Sequence, residues 1–221
     1  MEVWSVDSAG CPAGWLEVLD RSERERHAVS LRRGRPGYGA GRAALRHLIG
    51  AGLDIDPHRV AFARSCATCG REGHGRPVVA GVEPGRLEFS VATSCSMTLI
   101  AIVRHGRVGV DVEQLPPAAG PLWPRPCFSA REREQLEKLD EQKRPEATAR
   151  SWVRKEAVSK CLGLGLAMAF ANLEVTGGPM RWQLPDRRVQ VCDLEVARPF
   201  VAAVARDGHV AAPRVREWRW N

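Results

Sequence analysis

The chain reads as an α+β protein formed by pseudo-twofold duplication. Two similar subdomains are expected, each a long helix packed on a small antiparallel sheet, with the active site in the cleft between them. Three observations predict this. Ile100-Ala-Ile-Val-Arg-His-Gly-Arg-Val108 resembles Ala202-Ala-Val-Ala-Arg-Asp-Gly-His-Val210 in residue character, and Leu48–Leu53 resembles Cys161–Leu166. The two offsets differ by eleven residues, about the size of one inserted loop. Five prolines between 116 and 126 exclude regular structure there and divide the copies. Chance similarity of apolar segments is the competing explanation. The expected division is an N-terminal subdomain over 1–115, a proline-rich link over 116–127 and a C-terminal subdomain over 128–221. In a duplicated protein the cleft between copies is the natural ligand site.

The elements follow in order. Val3–Val6 alternates like a strand, and Leu19–Arg26 reads as a helix capped by Asp20 or Ser22. Residues 30–39, with Arg32, Arg33, Arg35 and Pro36, predict a basic loop before a helix over Ala40–Ile49 that ends at Gly50 and Gly52. A glycine-rich loop spans 64–77, and Leu87–Ala92 is a strand. Met97–Val103 and Val108–Val112 predict a hairpin turning through His105-Gly106. Ser129 and Glu132 have the spacing of a capping box for a helix reaching about Leu139. A second helix carries Ser151–Lys160 and stops at Gly163 and Gly165. Strands are expected near 172–175, 189–195, 199–205 and 213–219, with a hairpin turn at Asp207-Gly208.

Composition bounds the function. The 221 residues hold 44% apolar and 27% charged side chains, ordinary for a soluble domain. Thirty-three basic against 26 acidic residues give a net charge of +7, which suits an anionic partner: nucleic acid, a phosphorylated small molecule or an acidic protein. Seven scattered cysteines, an odd number, point to reduced thiols in the cytoplasm. No apolar run reaches membrane-spanning length and Met1–Asp7 lacks signal-peptide regions, so no membrane partner is expected.

The chemistry concentrates in two stretches. Gly109-Val-Asp-Val-Glu113 puts Asp111 and Glu113 on one face of a strand, where they repel each other unless a cation lies between them. Mg²⁺ is the expected ion, because it takes hard oxygen ligands and leaves room for water and phosphates. An exposed polar strand end would look the same. Trp152, Glu156 and Lys160 share one helical stripe, so Glu156 offers a third carboxylate and Lys160 an amine. A solvated i,i+4 pair is the alternative there.

These two stretches, in this order and at this separation, resemble the paired signature of the 4′-phosphopantetheinyl transferases of the surfactin-synthetase-activating type. Phe128–Glu132 and the weaker Gly75-Arg76-Pro77 turn are also similar to family motifs. The resemblance implies a pseudo-dimeric fold and a defined reaction. The phosphopantetheine arm of coenzyme A passes to a serine of an acidic acyl or peptidyl carrier protein, releasing 3′,5′-adenosine bisphosphate. It implies Asp111, Glu113 and Glu156 as ligands of Mg²⁺, with Mn²⁺ as a substitute. Lys160 becomes the phosphate-contacting stabiliser, Glu132 a base, water-mediated metal ligand or helix cap, and Lys155 a group that steers phosphate or pairs with the carboxylates. Arg42, Arg76 and Thr93 fall on coenzyme A positions, with Arg64 and Arg35 added by sequence proximity alone. A monomer is expected, and nucleic acid is the less expected partner.

One departure stands out. The family writes Phe-Asn/Ser-Val-Ser-His-Ser, and this chain reads Phe89-Ser-Val-Ala-Thr-Ser94, so Thr93 stands where a phosphate-binding His is expected and cannot carry charge. Cys66, Cys69 and His74 begin like a zinc knuckle, but Val79 occupies the fourth position, leaving only the distant Cys95. A Mg²⁺-dependent nuclease or a basic nucleic-acid-binding protein with that loop is therefore the alternative function.

Overall fold

The computed structural model describes residues 1–65, 75–83, 85–115, 125–165, 168–175, 180–183, 188–208 and 213–220. Cys66, Cys69, His74 and most of the proline-rich link lie outside the described residues. The fold is mixed α+β with small sheets. Strand β1 (Glu2–Asp7) is followed by helices α1 (Arg21–Arg32) and α2 (Gly37–Leu53), then a short hairpin of β2 (Phe62–Ser65) and β3 (Arg76–Val79). Next come β4 (Glu88–Ser94), β5 (Met97–Val103), β6 (Val108–Gln114), α3 (Ala130–Glu137) and α4 (Arg144–Leu162). The chain closes with β7 (Met180–Gln183), β8 (Arg188–Leu194), β9 (Phe200–Asp207) and β10 (Val215–Glu217).

Two four-stranded sheets result, ordered β10-β1-β5-β4 and β6-β9-β8-β7. All their pairings are antiparallel except β1 with β10. Alternation along the strands builds the layers. Leu99, Ala101 and Val103 face Val110, Val112, Ala202 and Val204 in a core between the sheets. Ile100 and Phe89 turn the other way, onto Ala40, Ala44 and Ile49 of α2. Val201, Ala203 and Ala205 likewise turn onto Val153, Ala157 and Cys161 of α4.

Several expectations are corrected. Strands β5 and β6 form no hairpin: the chain crosses at 104–107 from one sheet to the other, where β6 pairs with β9. The run of apolar β-formers is the same in either case, so local pattern could not tell them apart. Helix α1 takes residues 30–32 of the supposed basic loop and helix α2 takes 37–39, so only 33–36 stay outside a helix, and α2 runs on through Gly50 and Gly52. Its cap is Asp54, at φ 58°. Gly50 lies inside the helix against the Ile55 carbonyl, where a Cβ would stand at 2.7 Å. Residues 170–172 form a 3₁₀ turn, not the start of a strand. The hairpin expected at Asp207-Gly208 is replaced by a pairing of β10 with the first strand, β1. The ends of the 64–77 loop are the paired β2 and β3, and β7 was not anticipated. Both capping boxes are present, Asp20 with Glu23 and Ser129 with Glu132, and α4 ends on Gly163 in the left-handed region, at φ 74°.

Candidate active site

Strand β6 and helix α4 supply the acidic site. They touch at Gly109, where a Cβ would lie 2.0 Å from the Ala157 carbonyl oxygen, so only glycine permits the approach. That contact brings Asp111 beside the last turn of α4. Lys160 Nζ donates to Asp111 Oδ1 at 2.6 Å and to the Val110 carbonyl at 3.2 Å. Asp111 is 5% exposed, and its Oδ2 is buried with no hydrogen-bond partner among the described residues. Burial pushes the Asp111 carboxyl up to about 7; Lys160 pulls it down, and Glu113 and Glu156 add to the rise. Burial also raises Glu156, helped by Glu113 and opposed by Lys160. The charges of Glu113 and Glu156 thus both act on Asp111.

Among the described residues, no three His, Cys, Asp or Glu side chains are gathered tightly enough to form a ready metal cage. The donor set nevertheless fits a hard divalent cation. It offers carboxylate oxygens that raise one another's proton affinity, and one buried oxygen lacks a partner.

Glu132 and Lys155 stand elsewhere. Both are fully buried and paired at 2.7 Å. Glu132 also accepts from the N–H groups of Ser129 and Val175. Lys155 donates to the carbonyls of Phe170 and Leu173. Their polar atoms are thus engaged by each other and by backbone groups. The pair ties α3, the 170–175 segment and α4 together. Trp152 packs on Phe170 at 5.6 Å between ring centres.

The basic residues divide as well. Arg76 is held by Glu88 at 2.7 Å and donates to the Phe89 carbonyl. Arg42 pairs with Glu23 and lies over the Phe62 ring at 4.1 Å. Arg64 donates to the Gly75 carbonyl. Its pKa is lowered by burial and by the like charges of Arg26 and Arg42, with Tyr38 opposing. The charges of Arg26 and Arg42 thus reach Arg64, which has no carboxylate partner among the described residues. Arg26 was missed by sequence reading, which saw only a polar helix. Thr93 is exposed, and its hydroxyl pairs with Thr98 at 2.8 Å beside the start of α2. Arg35 is exposed. Ser94, also missed, donates to Glu113 Oε2 at 3.0 Å.

A buried carboxylate paired with a lysine, two more carboxylates that raise its proton affinity and, separately, arginines near Arg64 make up the candidate site. Residues 107–205 match the family model described as the 4′-phosphopantetheinyl transferase superfamily. The chain is 30% identical over 133 residues to the 4′-phosphopantetheinyl transferase HetI of Nostoc sp., covering 59% of this chain and 53% of that one. It is 32% identical over 147 residues to slr0495 of Synechocystis sp., a protein provisionally named for the same activity, covering 66% and 57%. The chain thus spans a little over half the length of the curated relatives it matches. Among the described residues no helix is long and apolar enough to cross a membrane.

Proposed function

We propose that this chain transfers the 4′-phosphopantetheine arm of coenzyme A to a serine of an acidic acyl or peptidyl carrier protein, in the manner of the surfactin-synthetase-activating type. The observation that carries the reading is the meeting of Asp111 on β6 with Lys160 on α4, inside the segment that matches the family model. The serine Oγ forms a bond to the β-phosphorus of coenzyme A. The bond from that phosphorus to the bridging oxygen breaks, and 3′,5′-adenosine bisphosphate leaves with the electron pair. A Glu156 carboxylate oxygen not engaged by the cation accepts the serine proton. Lys160 holds Asp111 and offers its ammonium to the negative charge that develops on phosphate. Asp111, Glu113 and Glu156 would hold Mg²⁺, or Mn²⁺ in its place, which when bound neutralises the pyrophosphate as it breaks. The nucleotide end lies with Arg64, Arg26 and Arg42, whose planar forks suit its 3′-phosphate.

We also read the fold as a duplication. The trio β1-β5-β4 with α2 repeats in order and direction as β6-β9-β8 with α4. On that reading the copies divide at 104–107 and not at 116–127: residues 1–103 would carry the nucleotide end, and β6 with α4 would bring both signatures into the second copy. A built-in pair of halves favours a monomer, and the odd cysteine count favours the cytoplasm. Neither comparison favours the nuclease or nucleic-acid alternative. The test is to incubate the protein with coenzyme A, Mg²⁺ and apo carrier proteins and weigh the carriers. A carrier heavier by one phosphopantetheine is expected. Unchanged mass on both acyl and peptidyl carriers sinks the reading.

A further inference from the structure

The two sheets meet edge to edge at β4 and β6. Strand β4 spends its backbone bonds on β5, and β6 spends its own on β9, so no backbone ladder joins them among the described residues. Serine hydroxyls take the ladder's place. Ser90 Oγ accepts from the Val110 N–H at 3.0 Å, and Ser94 Oγ accepts from the Gln114 N–H at 3.0 Å. The spacing is four residues on each strand, so both contacts fall on one face of each. Ala92 between them is 5% exposed and small enough to let β6 come close. An edge strand's outward donors would otherwise face a dry junction unpaired.

Ser94 does something Ser90 is not seen to do. A hydroxyl has one proton and two lone pairs. Because Gln114 takes a lone pair, the proton is free for Glu113, whose Oε2 lies 3.0 Å away. One side chain therefore grips both the carboxylate of residue 113 and the backbone of residue 114. This fixes the Glu113 carboxylate on the acidic side of β6.

We infer that Ser94 is a positioning residue that holds Glu113 in place as a ligand for a divalent cation, the seam between the sheets being its anchor. The inference rests on the metal site of the transferase reading. The sister contact at Ser90 supplies the control, since it joins the same strands without touching that carboxylate in any recorded bond.

Binding of Mn²⁺ to the full chain, followed by the electron paramagnetic resonance of free ion, tests it without turnover. Ser94→Ala should weaken Mn²⁺ binding roughly 10–100-fold, the usual cost of losing a partner of a metal ligand. Ser94→Thr, which keeps the hydroxyl, should restore most of it. Ser90→Ala should lower the urea midpoint yet leave Mn²⁺ binding as in wild type. Should Ser94→Ala prove insoluble, Ser94→Cys keeps the volume with a weak donor and should lose Mn²⁺ affinity as well. Wild-type Mn²⁺ affinity in the Ala or Cys variant, or equal losses in Ser90→Ala, overturns the proposal. So does an absence of Mn²⁺ binding by wild type. Carrier mass is read in parallel: Ser94-sensitive Mn²⁺ binding without transfer sinks the transferase reading alone, whereas transfer with Ser94-insensitive binding sinks only this proposal.

Discussion

Gly109 and Ala157 are in direct backbone contact, and a Cβ at residue 109 would stand 2.0 Å from the Ala157 carbonyl oxygen and 2.4 Å from the Cys161 nitrogen. Neither atom belongs to a movable side chain. Gly109→Ala must therefore push α4 off β6, and the overpacking should cost about 1–3 kcal/mol or more. Asp111 lies two residues on, and Lys160 is the neighbour of Cys161, so their 2.6 Å contact should open as well. Urea unfolding and Mn²⁺ binding should both deteriorate in this variant. Wild-type values in both would show that the helix has room to spare.

Glu132 and Lys155 form a buried ion pair at 2.7 Å, with backbone groups satisfying the rest of each head group. Breaking a buried pair by removing one partner typically costs about 3–5 kcal/mol, because the other charge stays behind unpaired. Lys155→Met should accordingly lose stability of that order in urea. Glu132→Gln should lose less, since its amide oxygen can still accept one backbone N–H. Mn²⁺ binding by whatever fraction remains folded should match wild type. A Glu132→Gln variant of normal stability that no longer binds Mn²⁺ would return Glu132 to the metal site.

Asp111 makes stability depend on pH. Its ordinary value of 3.8 rises to about 7 on burial. Between those values the folded chain keeps a proton that the unfolded chain has released. Stability from this group is thus full at low pH, falls as pH rises towards 7, and levels off above. One proton gives a slope on the order of 1 kcal/mol per pH unit. Asp111→Asn should remove that slope, which urea midpoints from pH 5 to 8 would show. Divalent cation binding expels the proton, so Mg²⁺ affinity should climb through the same window and added Mg²⁺ should flatten the wild-type slope. Parallel profiles for wild type and Asp111→Asn would count against the buried proton.

The charges of two other guanidinium groups reach Arg64, and burial with those charges lowers its own pKa. An incoming dianion would relieve that repulsion. Arg64→Ala should weaken coenzyme A binding about tenfold or more, since a hydrogen bond to a charged group contributes roughly 1.5–3 kcal/mol. The loss should shrink for 3′-dephospho-coenzyme A. Calorimetry with both ligands checks this, and equal losses would move the 3′-phosphate elsewhere.

The sequence alone determined the elements whose signals are local. Ser129 and Glu132 announce a capping box at three-residue spacing, and the structure has it. Gly163 stops α4 because the left-handed turn there costs a glycine little. The alternation of Asp111 and Glu113 with valines put both carboxylates on one face before any partner was known. The helical stripe of Glu156 and Lys160 did the same for the amine.

Only the tertiary structure decided which strand each edge would meet. Residues 97–112 read as a hairpin because strand patterning carries no record of its partner, and β6 instead crosses to β9. The same blindness hid Ser94, whose bonds to Glu113 and Gln114 reach across twenty residues of chain. The pattern also gave no sign that Lys155, beside Glu156 in sequence, is buried against Glu132. On a helix, adjacent residues point about 100° apart, so Glu156 faces the acidic cluster while Lys155 turns into the core against Glu132. A motif states which side chains are present; packing chooses which of them reach the substrate and which hold the walls.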